Sequence, residues 1–282
     1  MKILAIAAGH WEGTDRGIPT SLHSPRVTEW DLNKPVVDRV EAILDRYEGV
    51  QVLRVEDTTG KTMVSLADRC KAANSAGADY FLEVHHNGGL NGGSGGGATA
   101  YCIKEGGQAE VLRDKLYDAI IRAYPELRGN RADPKTTANF QVLRQTKMPA
   151  VLLELGFMDS TTDVPLLLSP DHTEKCAAAM ASVFVELWGL ALRPEYQEQE
   201  EAEMNEERVT QIAEEAAQKA VEDLMDGTGS GDAHSKYANE ATQWAKENGL
   251  IKGLGNGDYA WDTPMTRQEM VTLLYRYHNS IR

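Results

Sequence analysis

The chain has 282 residues, 41% of them hydrophobic, and a formal net charge of −14. That length accommodates one large domain and a smaller companion, and no run approaches the roughly 18 consecutive apolar residues of a membrane span. Twelve acids against Arg208 and Lys219 give residues 195–226 a net of −10, while 1–194 carry −4 and 233–282 carry +1. The acidity belongs to one segment, so neither flank has the basic balance of a nucleic-acid binder.

The opening MKILAIAAGH places Lys2 before an apolar run, as a signal peptide would. The run is short, Gly9-His10 follows, and a second strand-like stretch lies downstream. It is read as a first buried strand, KILAIAA, of a protein made in the cytoplasm without a signal peptide. Between Glu29 and Tyr47, Val36, Val37, Val40, Ile43 and Leu44 recur at helical spacing. VQVLRV (50–55) is a strand, and 64–76 suit a helix that stops near Gly77. DYFLEVH (79–85) and ATAYCI (98–103) are strands, and 108–124 form a helix with Val111, Leu112, Leu116, Ile120 and Ile121 on one face. AVLLELGF (150–157) is a nearly unbroken apolar strand, and 171–190 close the region as a helix. This alternation over 1–193 predicts an α/β fold, a twisted and mostly parallel sheet with helices on both faces. Ligands of such sheets sit off the carboxyl ends of the strands. Cys70, Cys102 and Cys176 lack CxxC spacing, which predicts buried free thiols and not a thiolate metal site or a disulfide framework.

After Pro194 the composition shifts. Residues 194–232 read as a Glu-, Gln- and Ala-rich linker helix with a weak apolar stripe, ending in the hinge GTGSGD (227–232). Residues 233–282 read as a small helical module, with Thr266 and Glu269 as a capping box. Fifty residues bury little core, so this module is expected to lean on a partner.

Three polar features fall at strand ends. His10 follows the first strand, His85 and His86 end the strand 79–85, and Glu154 lies late in 150–157. Glu29 starts the first helix on the same side of the sheet. Two imidazoles and one carboxylate form a known catalytic zinc set with a fourth position open to water. Glu154 would then be an additional carboxylate able to move a proton. Each residue also has a plainer explanation. A lone histidine is usually a hydrogen-bonded structural residue, Glu29 suits a helix N-terminus, and Glu154 could pair with an Arg or Lys. The glycine-rich run 88–97 lacks the Gly-Lys-Ser/Thr of a phosphate cradle and is read as a mobile loop beside the site.

Four separated segments, ILAIAAGH, TEWDLN, EVHHNG and MPAVLLELGFMDS, occur in the order and spacing of one family. Together they resemble the zinc-dependent N-acetylmuramoyl-L-alanine amidases of the type 3 family, which cut peptidoglycan. The resemblance covers roughly 1–190. It implies Zn2+ bound by His10, Glu29 and His85, and Glu154 as the catalytic acid and base. Asn87, two places after the ligand position, selects His85 over His86, and strand alternation agrees that one of the two faces the site. The sequence departs from the family in the turn after His10, where Asp15 comes one place late, and at Glu83, where a small polar residue is usual. The stretch ATQWAKENGLIKGLGNGDYAWDTPMTRQEMVTLLYRY resembles a single S-layer-homology unit, implying wall-polysaccharide binding or self-association through 195–282. The expected role is that of a phage endolysin. A bacterial autolysin, a zinc carboxypeptidase and an inactive wall-binding protein are the rivals.

Overall fold

The computed structural model describes residues 1–197. The expected linker helix, past its first residues, and the 233–282 module lie outside the described residues. Six strands form one sheet: β1 (Lys2–Ala8), β2 (Val50–Arg54), β3 (Tyr80–Asn87), β4 (Ala98–Cys102), β5 (Lys135–Thr137) and β6 (Ala150–Phe157). Their order is β2-β1-β3-β6-β4-β5. The first four run parallel, while β4 pairs antiparallel with β6 and parallel with β5. The sheet is therefore mostly parallel, with a reversed pair at one edge.

Helices cover both faces. On one, α1 (Glu29–Leu44), α3 (Gln108–Ala123) and α6 (Pro170–Trp188) pack through Val36, Leu116 and Phe184 on Leu4, Ile6, Leu82 and Leu153. On the other, α2 (Leu66–Ala76) and the short α4 (Gln141–Gln145) bring Cys70, Ala73 and Val142 to Ala5, Ala7, Phe81 and Leu152. The two sets alternate along each strand, as the pleat requires. Each fully buried Leu or Phe contributes about 1.5–3 kcal/mol over exposure. A further short helix, α5 (Val164–Leu167), lies between β6 and α6. The three cysteines are free and buried, as expected.

The order in which strands are added reverses at β1, with β2 laid down on one side of it and β3 on the other, the switch point at which such sheets open a crevice. Register places His85 of β3 beside Glu154 of β6. Their side chains, two residues beyond Glu83 and Leu152, share the face covered lower down by α2 and α4. Just past this pair the register slips: Leu155 and Gly156 oppose His86 alone. Gly156 takes φ 116, a backbone that suits glycine in such a bulge.

Candidate active site

β1 runs into Gly9, whose N–H donates to the Val84 carbonyl at 2.8 Å. His10 then turns with φ 64, a left-handed value uncommon for a residue with a side chain and frequent at functional sites. Arg69 of α2 holds this turn from beneath. Its guanidinium donates to the carbonyls of Ala8 (2.9 Å) and His10 (3.0 Å) and to the Glu83 carboxylate (2.8 Å). Position 9 must be glycine, because a Cβ there would lie 2.2 Å from the His85 ring.

A capping box starts α1. The Thr28 hydroxyl accepts from the Asp31 N–H (3.2 Å), and the Asp31 carboxylate accepts from the Thr28 N–H (2.8 Å). The first helical residue, Glu29, is thereby aimed over the sheet edge and is 1% exposed. Its Oε1 lies 2.8 Å from His85 Nδ1 and its Oε2 lies 3.0 Å from His10 Nε2. The two imidazoles stand edge to face, 5.0 Å apart at 89°.

Burial alone would raise the Glu29 carboxyl, but the close approach of the His10 and His85 rings holds it well below the usual carboxylate range. Burial alone would depress His85; hydrogen bonding to Glu29 and Glu83, with the Glu154 charge, pushes it up to about 10. This corner of the molecule therefore favours a positive charge. The donor atoms of His10, Glu29 and His85 all lie within 4.8 Å of one another. Glu29 Oε2 is buried without a hydrogen-bond partner, since the His10 approach has ion-pair distance but not hydrogen-bond alignment. A buried, unsatisfied carboxylate oxygen beside two imidazoles fits a divalent cation, and these residue types suit zinc. The other ring nitrogen of His85 faces Glu83 Oε1 at 3.5 Å. A carboxylate behind a ligating imidazole commonly fixes its tautomer. Glu83, the departure from the family pattern, stands in that place, neutralised by Arg69.

Glu154 stands on the neighbouring strand, with Thr99 of β4 on its other side. Burial is the main cause that pushes its carboxyl up to about 7, moderated by the His85 charge. Its Oε2 is also buried and unpartnered, and among the described residues no Arg or Lys forms the salt bridge considered as its plainer role. All four residues line one cleft of about 910 Å³, together with Arg16 and Asn87. The exposed side chains of Met63, Leu66 and Phe140 form an apolar part of its rim. The glycine-rich run lies beside this cleft. It is tied down there, with Gly89 and Asn91 N–H groups donating to the Asp159 carboxylate at 2.9 and 2.7 Å.

His86 points away from the cleft. Its ring lies among buried groups, 2.7 Å from Asn33 Oδ1 and 2.8 Å from His172 Nε2. Sequence reasoning left Asn33, His172 and Arg69 out of the site. A signal existed: Asn33 lies four residues after Glu29 in the buried stripe of α1, and His172 four before Cys176 in that of α6. Polar residues in an apolar stripe need partners.

The sequence profile of the N-acetylmuramoyl-L-alanine amidase family matches residues 4–184. The chain is 38% identical over 152 residues to N-acetylmuramoyl-L-alanine amidase CwlM of Bacillus licheniformis, covering 53% of this chain and 55% of that one. It is 33% identical over 196 residues to the endolysin of Bacillus phage SPP1, covering 67% of each. The chain thus spans about half the length of the first of these relatives and two thirds of the second. Among solved structures, N-acetylmuramoyl-L-alanine amidase AmiC2 of Nostoc punctiforme is similar with a TM-score of 0.57 at 26% identity, over 67% of this chain and 97% of that chain. The catalytic domain of CwlV from Paenibacillus polymyxa shares the fold, with a TM-score of 0.58 at 24% identity over 67% and 99%.

Proposed function

We propose, because this chain belongs to the N-acetylmuramoyl-L-alanine amidase family, that it hydrolyses the amide between N-acetylmuramic acid and L-alanine in peptidoglycan. The observation that carries this reading is one cleft in which two imidazoles and a buried carboxylate converge, with Glu154 one strand away. His10, Glu29 and His85 would hold zinc. When bound, zinc would polarise the scissile carbonyl and ease loss of a proton from water.

Glu154 then carries the proton traffic. A carboxyl pushed up to about 7 is populated in both forms near neutral pH. It takes a proton from the attacking water as the C–O bond forms, and returns it to the alanine nitrogen as the C–N bond breaks.

The similarity to a phage endolysin and to bacterial amidases supports either a phage lytic role or that of a bacterial autolysin, by the same chemistry. The S-layer-homology-like sequence at 233–282 supports a role in holding the enzyme at the wall or to a second copy.

The test is digestion of purified peptidoglycan by the zinc-loaded chain, with chemical labelling of new amino termini. Alanine termini should appear without new reducing sugars, and Glu154→Gln should slow their release by about 10²–10⁴-fold. Release of reducing sugars, or of another amino terminus, would overturn the assignment.

A further inference from the structure

Behind the cleft, a row of buried polar groups runs from α6 to the back of Glu29. Cys176 Sγ lies 3.9 Å from His172 Nδ1, His172 Nε2 lies 2.8 Å from His86 Nε2, and His86 Nδ1 lies 2.7 Å from Asn33 Oδ1. Asn33 Nδ2 faces the Gly9 carbonyl at 3.1 Å and Glu29 Oε1 at 3.5 Å. Asn33 is 0% exposed, and His86 and His172 are each 2% exposed, so solvent supplies none of the missing partners.

The row admits one neutral pattern of protons. Two acceptors fix the Asn33 amide, with its NH2 toward Gly9 and Glu29, so Oδ1 must accept. His86 therefore carries its proton on Nδ1 and presents a bare Nε2. His172 must then donate from Nε2, which leaves its Nδ1 bare toward the Cys176 thiol. A second proton on His86 would set N–H against N–H at 2.8 Å.

The consequence lands on Glu29. Its Oε1 accepts from the His86 backbone N–H at 3.2 Å and from Asn33, while Oε2 turns to His10. If His85 Nδ1 is taken up by a metal ion, those two donors are what remain to hold Oε1, and both belong to this row.

We infer that His172, acting through His86 and Asn33, is a positioning residue that fixes the Glu29 carboxylate for metal binding. The inference rests on the zinc reading above, and its test separates the two. The metal-free full chain is titrated with zinc against a chromophoric chelator. His172→Phe removes the N–H that His86 needs, and should weaken zinc binding by about 10–100-fold in a protein that still shows a cooperative thermal transition. His172→Gln, which keeps an N–H near the Nε2 position, should recover most of that loss. A folded His172→Phe chain that binds zinc as tightly as wild type overturns the inference alone. A wild-type chain that binds no zinc overturns the metal reading and the inference with it. Should His172→Phe fail to fold, imidazole nitrogen NMR of the wild type still decides: His86 must be protonated on Nδ1 and His172 on Nε2. The opposite tautomers, or charged rings at neutral pH, overturn it.

Discussion

The two oxygens of Glu29 have different partners, and much of the site follows from that division. Oε1 is held by the back of the site and Oε2 is left to the cleft. His85 completes the set, and its room is secured by the absence of a side chain at position 9. His85→Ala should reduce bound zinc to background by elemental analysis, because it removes one of the three proposed ligands. Gly9→Ala should weaken zinc binding although no ligand is removed, because its Cβ would occupy the ring's place; binding equal to wild type would mean that the turn gives way freely. Strand alternation required that only one of the two adjacent histidines face the cleft, and the resemblance, through Asn87, selected His85. What lay behind His86 was not legible, because its partners come from positions 33 and 172, and no local spacing relates those to position 86. His86→Ala should cost stability and, by the inference above, zinc affinity as well.

Among the elements, α2 has a function that its sequence alone conceals. Read as an amphipathic helix, it only covers a sheet face; in the fold it drives Arg69 under the His10 turn and against Glu83. Both members of this ion pair are almost fully buried. Arg69→Met leaves the buried Glu83 carboxyl without its guanidinium partner, and should cost about 3–5 kcal/mol in urea unfolding. A loss below about 1 kcal/mol, the range of an exposed pair, would contradict this placement. Thr28→Ala should cost about 1 kcal/mol through loss of the α1 cap.

Strand positions were readable from apolar runs, but the direction of β4 was not read from its pattern. Direction depends on the connection: residues 88–97 are too few for a helical crossover, so the chain re-enters the sheet from the same edge and runs back. The elements β5 and α4, three and five residues long, are too short to show a period.

For the molecule as a whole, the buried histidines connect stability to pH. Burial lowers His172 from 6.5 to about 4. Between these values the unfolded chain binds a proton that the folded chain refuses, so stability is present above pH 6.5 and is lost as pH falls toward 4. The full effect corresponds to about 3 kcal/mol. Other groups titrate in the same window, Glu154 with the opposite sign because its folded value is raised to about 7. The clean observable is the difference between wild type and His172→Gln, in which contributions from groups remote from the His172–His86 pair cancel. Wild type should lose stability relative to the variant as pH falls from 6.5 to 4, and parallel curves would contradict a neutral, buried His172.

At this scale the catalytic region was the most legible part of the chain. Its four motif segments sit at or beside the ends of β1, β3 and β6 and at the start of α1, and it was their order and spacing together, not any one read alone, that carried the meaning. The central claim is the identity of the bond that is cut. Mass spectrometry of soluble fragments from purified walls, digested by the zinc-loaded full chain, tests it most directly. The expected products are stem peptides beginning with a free L-alanine and glycan strands carrying intact N-acetylmuramic acid. Fragments cut within the glycan or within the stem peptide, with the muramoyl–alanine amide intact, would contradict it.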